Sequence, residues 1–329
     1  GMDALFKVAG IYSPDGQRYT PVDAEALNTY REAIDGQILQ EGICEAGAIA
    51  SFIAAGTAYA TFAVPTIPFY IFYSMFGFQR VGDMIWASAD MMARGFLLGG
   101  TAGRTTLNGE GLQHQDGHSP ILASTVPSVR TYDCAFAWEL AILVRFGIQR
   151  MFVEDHDELF YLMMYNEALH MPARPAHEDL DEGVVRGGYM LEPATGDGPR
   201  VNLLGSGTIL FEVMQAAATL RAEGYSVAVY SITSYVELAR DAERAEQAGT
   251  ADAEPAWLDT IFPETNVPTV AVTDYVRALP RMIASWITGP FTALGTDGFG
   301  MSERRSDLRA HFKVDAASIA DAARGLTAS

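Results

Sequence analysis

The sequence predicts an α/β protein of two successive domains, each a mostly parallel sheet held between helices in a three-layer α/β/α arrangement. Three observations lead there. Apolar runs of strand length alternate with stretches of helical period along most of the 329 residues. The run at 66–73 is apolar on both faces, which suits a strand inside a parallel sheet covered by helices. A segment at 170–200, with four prolines and clustered acids, interrupts the alternation, which then restarts.

Taken in order, residues 23–31 read as a capped helix and 37–39 as a short extended run. Small residues at 46–60 make a helix, 66–73 a strand and 78–94 a second helix. The Gly- and Thr-rich segment at 99–117 fits neither period and reads as a loop. Apolar runs at 121–126 and 159–164 flank an amphipathic helix at 135–152. Beyond the linker come strand 201–204, helix 208–223, strand 226–230 and helix 234–248. Strand 268–273, helix 275–287 and strand 292–295 complete a second, smaller domain.

Composition excludes several classes. Hydrophobic residues make up 49% and charged residues 19%, as in a well-buried globular chain. The formal charge of 22 minus 41, or −19, opposes a nucleic-acid surface. Cys44 and Cys134 lie far apart without a CxxC partner, so neither a disulfide framework nor a zinc site is expected, and a cytoplasmic setting fits. No signal peptide is expected at the start; Gly1 reads as a cloning remnant ahead of Met2. Residues 46–79 carry no charge, yet Pro65, Pro68 and three glycines break the stretch, so a membrane span is not expected.

The segment at 105–119 crowds His114, His118, Glu110, Asp116 and three glycines between expected strands, where α/β proteins place ligand sites. A polar surface loop is an equal reading of that composition. Metal binding by His114 and His118 is the weaker one, because Gly117 between them opposes the helix that an i, i+4 pair needs. Glu45 leads a chargeless helix, either as a partner of its dipole or as a buried functional acid. Tyr73 and Phe76 follow the buried strand at its carboxyl end, where aromatic residues are ordinarily core. Gly205-Ser206-Gly207 after a strand lacks the third glycine of a dinucleotide loop, since Leu210 holds that place.

Read together, GIYSP at 10–14, QILQEGICEAG at 37–47 and PFYIFYSMFGFQRVGD at 68–83 resemble the homodimeric-type E1 component of bacterial pyruvate dehydrogenases. The likeness continues through ARGFLLGGTAGRTTLNGEGLQHQDGHS at 93–119, LLGSGTIL at 203–210 and ALGTDGFG at 293–300. It implies a pyrimidine-binding domain at 1–186 and a transketolase-type C-terminal domain at 187–329. The family's pyrophosphate-binding domain, which supplies Mg²⁺ and diphosphate ligands, has no counterpart here. Asp90-Met91-Met92, Gln115 and a short loop at 241–265 depart from the family pattern.

The resemblance implies thiamine diphosphate as cofactor, bound here by its pyrimidine end. Glu45 matches the glutamate that hydrogen-bonds N1′ of the aminopyrimidine, driving the 4′-amino group toward the imine that removes the C2 proton. Phe76 matches the aromatic that stacks on the pyrimidine, while Tyr73 and His114 match residues that face the substrate-derived part. The implied activity is 2-oxoacid decarboxylation, with pyruvate as the expected substrate and acyl transfer to a lipoyl-bearing E2 acyltransferase. The implied partners are a pyrophosphate-domain subunit in trans and further copies in a homodimer or heterotetramer. Two alternatives remain at this stage: a transketolase-like or carboligating subunit, and a non-catalytic scaffold or remnant.

Overall fold

The computed structural model describes residues 8–22, 30–107, 111–176, 179–249 and 254–328. Most of the helix expected at 23–31, and residues 108–110 of the histidine loop, lie outside the described residues. The chain divides into two compact units, Gly1–Ala48 and Ile49–Ser329. In the first, β1 (Ile11–Tyr12) pairs in parallel with β2 (Glu32–Ala33). Ile38 adds a parallel bridge to Ile11, so the short extended run at 37–39 is present.

Helix α1 (Glu45–Gly56) begins on Glu45, and α2 (Ala58–Phe62) follows it. The second unit holds two sheets. The first is β3 (Phe69–Tyr73), β4 (Gly95–Gly100), β6 (Leu159–Met163) and β5 (Val129–Tyr132), side by side in that order and parallel throughout. Helix α3 (Ser74–Asp90) connects β3 to β4. The short helix α4 (Ser119–Ser124) precedes β5, and α5 (Ala137–Ile148) connects β5 to β6. Burial on both faces of β4 and β6 is what a helix-covered parallel sheet requires.

Strand β3 is the exception, being an edge with alternating burial. Tyr70 and Phe72 point to the buried side, Phe72 against Gly77 of α3. Phe69, Ile71 and Tyr73 point the other way and remain 44%, 52% and 38% exposed. The strand passes into α3 with no intervening loop: Tyr73 is extended (φ −62°, ψ 122°) and Ser74 is already helical. Gly77 permits this junction, because a Cβ there would lie 2.1 Å from the Phe72 ring.

The second sheet has the order β11 (Phe291–Leu294), β10 (Thr269–Val272), β8 (Arg200–Gly205), β9 (Ser226–Ser231) and β7 (Tyr189–Glu192). All neighbours are parallel except β7, which runs antiparallel to β9. Helices α6 (Leu180–Arg186), α7 (Ile209–Ala222), α8 (Tyr235–Ala248), α11 (Arg305–Phe312) and α12 (Ala316–Thr327) belong with it, beside the short turns α9 (Trp257–Ile261) and α10 (Ala278–Arg281). Its core packs Val201, Leu203, Val227, Val229, Val270 and Val272 against Leu210, Val213 and Ile319. The mixed helix and sheet content, with mostly parallel strands, is the expected α/β class.

Several elements differ from the sequence expectation. Residues 121–126 form most of helix α4 rather than a strand; Pro120 occupies the first turn, where its missing N–H costs nothing. Strand β4 covers 95–98, to which the sequence reading assigns no element, and runs into the first two residues of the segment read as a loop at 99–117. The linker contains α6 and the antiparallel β7. Residues 275–287 form only α10 and a 3₁₀ turn at Ala284–Trp286. Among the described residues no helix is long and apolar enough to cross a membrane.

Candidate active site

Tyr73 ends β3 and Phe76 sits in the first turn of α3, so both lie at the carboxyl end of the first sheet. His114 closes the 3₁₀ turn Leu112–His114 in the connection that follows β4. The structure brings these three sequence-predicted residues together. The His114 ring lies 5.4 Å from that of Tyr73 and 5.3 Å from that of Phe76, meeting Phe76 edge-on at 72°. Tyr73 and Phe76 are 6.0 Å apart, also edge to face. Tyr73 is exposed, and Phe76 and His114 are half-buried, so the cluster borders solvent. The guanidinium of Arg80, one turn on in α3, lies 4.0 Å from the Phe76 centroid, a cation–π contact. Glu45 belongs to the first compact unit; there it is half-buried and opens α1.

The arrangement offers a flat apolar ring, a phenol and an imidazole on one rim. Phe76 and its neighbours suit a planar aromatic ring, while Tyr73 and His114 can donate hydrogen bonds to oxygens beside it. These residues therefore suit a ligand with a flat aromatic ring and hydrogen-bonding oxygens beside it. Among the described residues no group of three His, Cys, Asp or Glu side chains stands close enough to hold a metal ion.

A buried polar framework holds the histidine loop from below. Asp116 accepts the N–H groups of His118 (3.0 Å) and Ser119 (2.9 Å) and the Ser119 hydroxyl, capping α4. Ser119 Oγ reaches the hydroxyl of Tyr161 at 2.8 Å. Asp274, beyond β10, accepts the backbone N–H and hydroxyl of Thr105 (2.9 and 2.6 Å) and of Thr106 (3.1 and 2.7 Å). Burial pushes the Asp274 carboxyl above its ordinary range, against the pull of the Thr105 and Thr106 hydroxyls and the Thr105 N–H. Arg104 donates to the carbonyls of Thr296 and Gly298, and burial lowers its basicity.

Sequence reasoning missed Asp274 altogether. Asp116 had a legible signal, an acid two and three residues ahead of the amides it caps, with Pro120 next. His118, weighed as a metal ligand, instead lies 2.7 Å from Gln79 Nε2.

Comparison with known proteins gives a consistent answer. The family profile described as "Pyruvate dehydrogenase E1 component middle domain" matches residues 1–172, and that described as "Transketolase-like TK C-terminal domain" matches residues 187–315. The chain is 51% identical over 326 residues to the pyruvate dehydrogenase E1 component of Corynebacterium glutamicum, covering 97% of this chain and 35% of that protein. It is 49% identical over 331 residues to the Escherichia coli K12 counterpart, covering 99% and 37%. It thus spans little more than a third of these relatives. Among solved structures, transketolase from Leishmania mexicana matches at TM-score 0.67 and 16% identity, over 99% of this chain and 44% of that one. A split-gene transketolase, described as an inactive beta4 tetramer, matches at TM-score 0.64 and 14% identity, over 99% and 95%; both likenesses concern the fold alone. On the sequence profiles and identities, the chain belongs to the family of pyruvate dehydrogenase E1 components, matching its middle and transketolase-like C-terminal domains.

Proposed function

We propose that this chain supplies the pyrimidine-binding part of a thiamine-diphosphate-dependent 2-oxoacid dehydrogenase site, with pyruvate as substrate. Its family depends on thiamine diphosphate, and the observation that carries the reading is the convergence of Tyr73, Phe76 and His114 on one rim. The proposed domain division falls between 186 and 187, with the pyrimidine-binding domain first. Thiamine diphosphate, when bound, supplies an acidic thiazolium carbon and an electron sink for decarboxylation. Phe76 offers its ring to the pyrimidine, and the Arg80 contact fixes the plane of that ring. Glu45 holds the proton at N1′ of the aminopyrimidine. Tyr73 donates its phenolic hydrogen to the substrate's oxygens, and His114 holds or moves a proton at the same side.

Mg²⁺ and the diphosphate are assigned to a pyrophosphate-binding domain supplied as a partner. The uncovered face of β3, with Phe69 and Ile71 exposed, supports a partner surface of this kind. The split-gene transketolase supports it too, as a chain of nearly the same extent and fold. A lipoyl-bearing acyltransferase is the proposed acceptor partner, and a homodimer or heterotetramer the proposed assembly, in the cytoplasm. Calorimetric titration of thiamine diphosphate and Mg²⁺ into the chain, alone and with a pyrophosphate-domain protein, tests the reading. Heat only in the mixture, followed by pyruvate decarboxylation, is the expected result. Silence in both titrations, or binding without any 2-oxoacid turnover, refutes it.

A further inference from the structure

We propose that Gln115 is a positioning residue for His114, acting as a clamp that fastens the histidine loop to the C-terminal part of the chain. This rests on the reading of the ring cluster as the cofactor site, and concerns how that cluster is held. Gln115 is buried, 2% exposed, immediately after His114. Its amide nitrogen donates both hydrogens, to Leu107 O at 2.9 Å and to Met301 O at 2.8 Å. Its amide oxygen accepts the N–H of Met301 at 2.8 Å. Each polar atom of the side chain is therefore used, and one residue ties the start of the loop, its end and the distant segment around Met301.

That distant segment is shaped to receive it. A Cβ at Gly300 would lie 2.3 Å from Gln115 Oε1, so only glycine lets the backbone lie flat on the amide. The neighbouring fastenings run the same way: Arg104 holds the carbonyls of Thr296 and Gly298, and Val276 N–H donates to Gly117 O at 2.8 Å. The 3₁₀ turn transmits the constraint, because His114 N bonds Gly111 O at 3.2 Å and Gln115 N bonds Leu112 O at 3.3 Å. A change in the Gln115 backbone thus becomes a rotation of the His114 ring against Tyr73 and Phe76.

The test uses the full chain with ¹³C-labelled histidine, read by NMR and by amide hydrogen exchange. Gln115→Glu keeps size and an acceptor but removes both donors; Gln115→Met removes all three bonds. Gly300→Ala presses on the clamp from the other end. All three are expected to speed exchange of the amides at 111–118 by at least about tenfold. All three also shift the His114 ring signals and leave those of His311 in place. Val201→Ala, which thins the C-terminal core far from the loop, leaves the 111–118 exchange and the His114 signals unchanged. In the pair reconstituted with a pyrophosphate-domain protein, kcat for pyruvate falls about tenfold or more while KM moves by less than about threefold. Unchanged loop exchange in the Gln115 variants, or an equal change in Val201→Ala, overturns the proposal. The exchange and ring signals are read without cofactor, so failure of the wild type to bind thiamine diphosphate refutes the functional reading separately.

Discussion

Asp133 makes the stability of this protein pH-dependent in a direction that can be worked out from its surroundings. It follows β5, is 4% exposed, and accepts the hydroxyl of Tyr165, which in turn lies 3.3 Å from the hydroxyl of Tyr275. Burial, opposed by the Tyr165 and Ser206 hydroxyls, pushes its carboxyl up to about 7. The same group in the unfolded chain titrates near 4. Between these values the folded state keeps a proton that the unfolded state has released. Stability therefore falls as pH rises through the window and levels off above it. A separation of about three units corresponds to a full effect of roughly 4 kcal/mol, of which about 3 kcal/mol develops between about pH 5 and about pH 8. Asp133→Asn retains an oxygen to accept from Tyr165 and cannot ionise. Urea unfolding of both proteins across that range should show the variant gaining about 3 kcal/mol relative to wild type as pH rises. Two curves that stay parallel would refute the assignment.

Further predictions concern packing and the site. Glu139, at the start of α5, accepts from the N–H groups of Ala135 (2.8 Å) and Phe136 (2.9 Å) and the hydroxyls of Tyr189 and Ser231 (2.7 Å each). Glu139→Ala strands four buried donors, and chemical denaturation should record a loss of about 3 kcal/mol or more. Gly77→Ala sets a methyl group against the Phe72 ring, so it should destabilise the fold by ~1–3 kcal/mol and displace the turn that carries Phe76, visible as a changed near-ultraviolet dichroism. Phe76→Ala should weaken thiamine diphosphate binding by the reconstituted pair about tenfold, measured calorimetrically, with little change in unfolding midpoint. An unaltered affinity would remove Phe76 from the cofactor reading.

What the sequence made legible, and what it hid, follows from how locally each feature is encoded. The β3 run announces itself because the seven successive residues 67–73 are apolar or aromatic, and Tyr73 and Phe76 can be placed at its carboxyl end without knowing the fold. Strand β4 hides because Gly95, Gly99 and Gly100 dilute its strand character. Gly99 is there for a neighbour, since a Cβ at that position would lie 2.5 Å from the Tyr161 hydroxyl. Helix α4 imitates a strand because an apolar run of six residues has no readable period; Pro120 was the clue. Asp133 and Asp274 are single acids whose hydrogen-bond partners come from remote segments, and no local pattern marks them; Glu139 has a local capping pattern with 135 and 136, but its partners Tyr189 and Ser231 are equally remote. Likewise Gln115 reads as an ordinary polar loop residue until Met301 is seen against it. The Tyr73–Phe76–His114 cluster was foreseeable through family likeness, while composition alone left an ordinary surface loop equally plausible.

The direct passage from β3 to α3 has a consequence for recognition. Tyr73 ends a strand hydrogen-bonded to β4, and Phe76 stands in the first turn of the helix that starts at the next residue. With no connecting loop, neither ring has a hinge beneath it, and their 6.0 Å spacing is set when the domain folds. A ligand arriving at this rim meets two pre-ordered walls and loses little freedom in arranging them. Any adaptation between one ligand and another must come from the histidine side. Under the proposed reading, selectivity for ring shape is built into the scaffold, while tolerance toward the reacting group resides in the segment to which Gln115 is bonded.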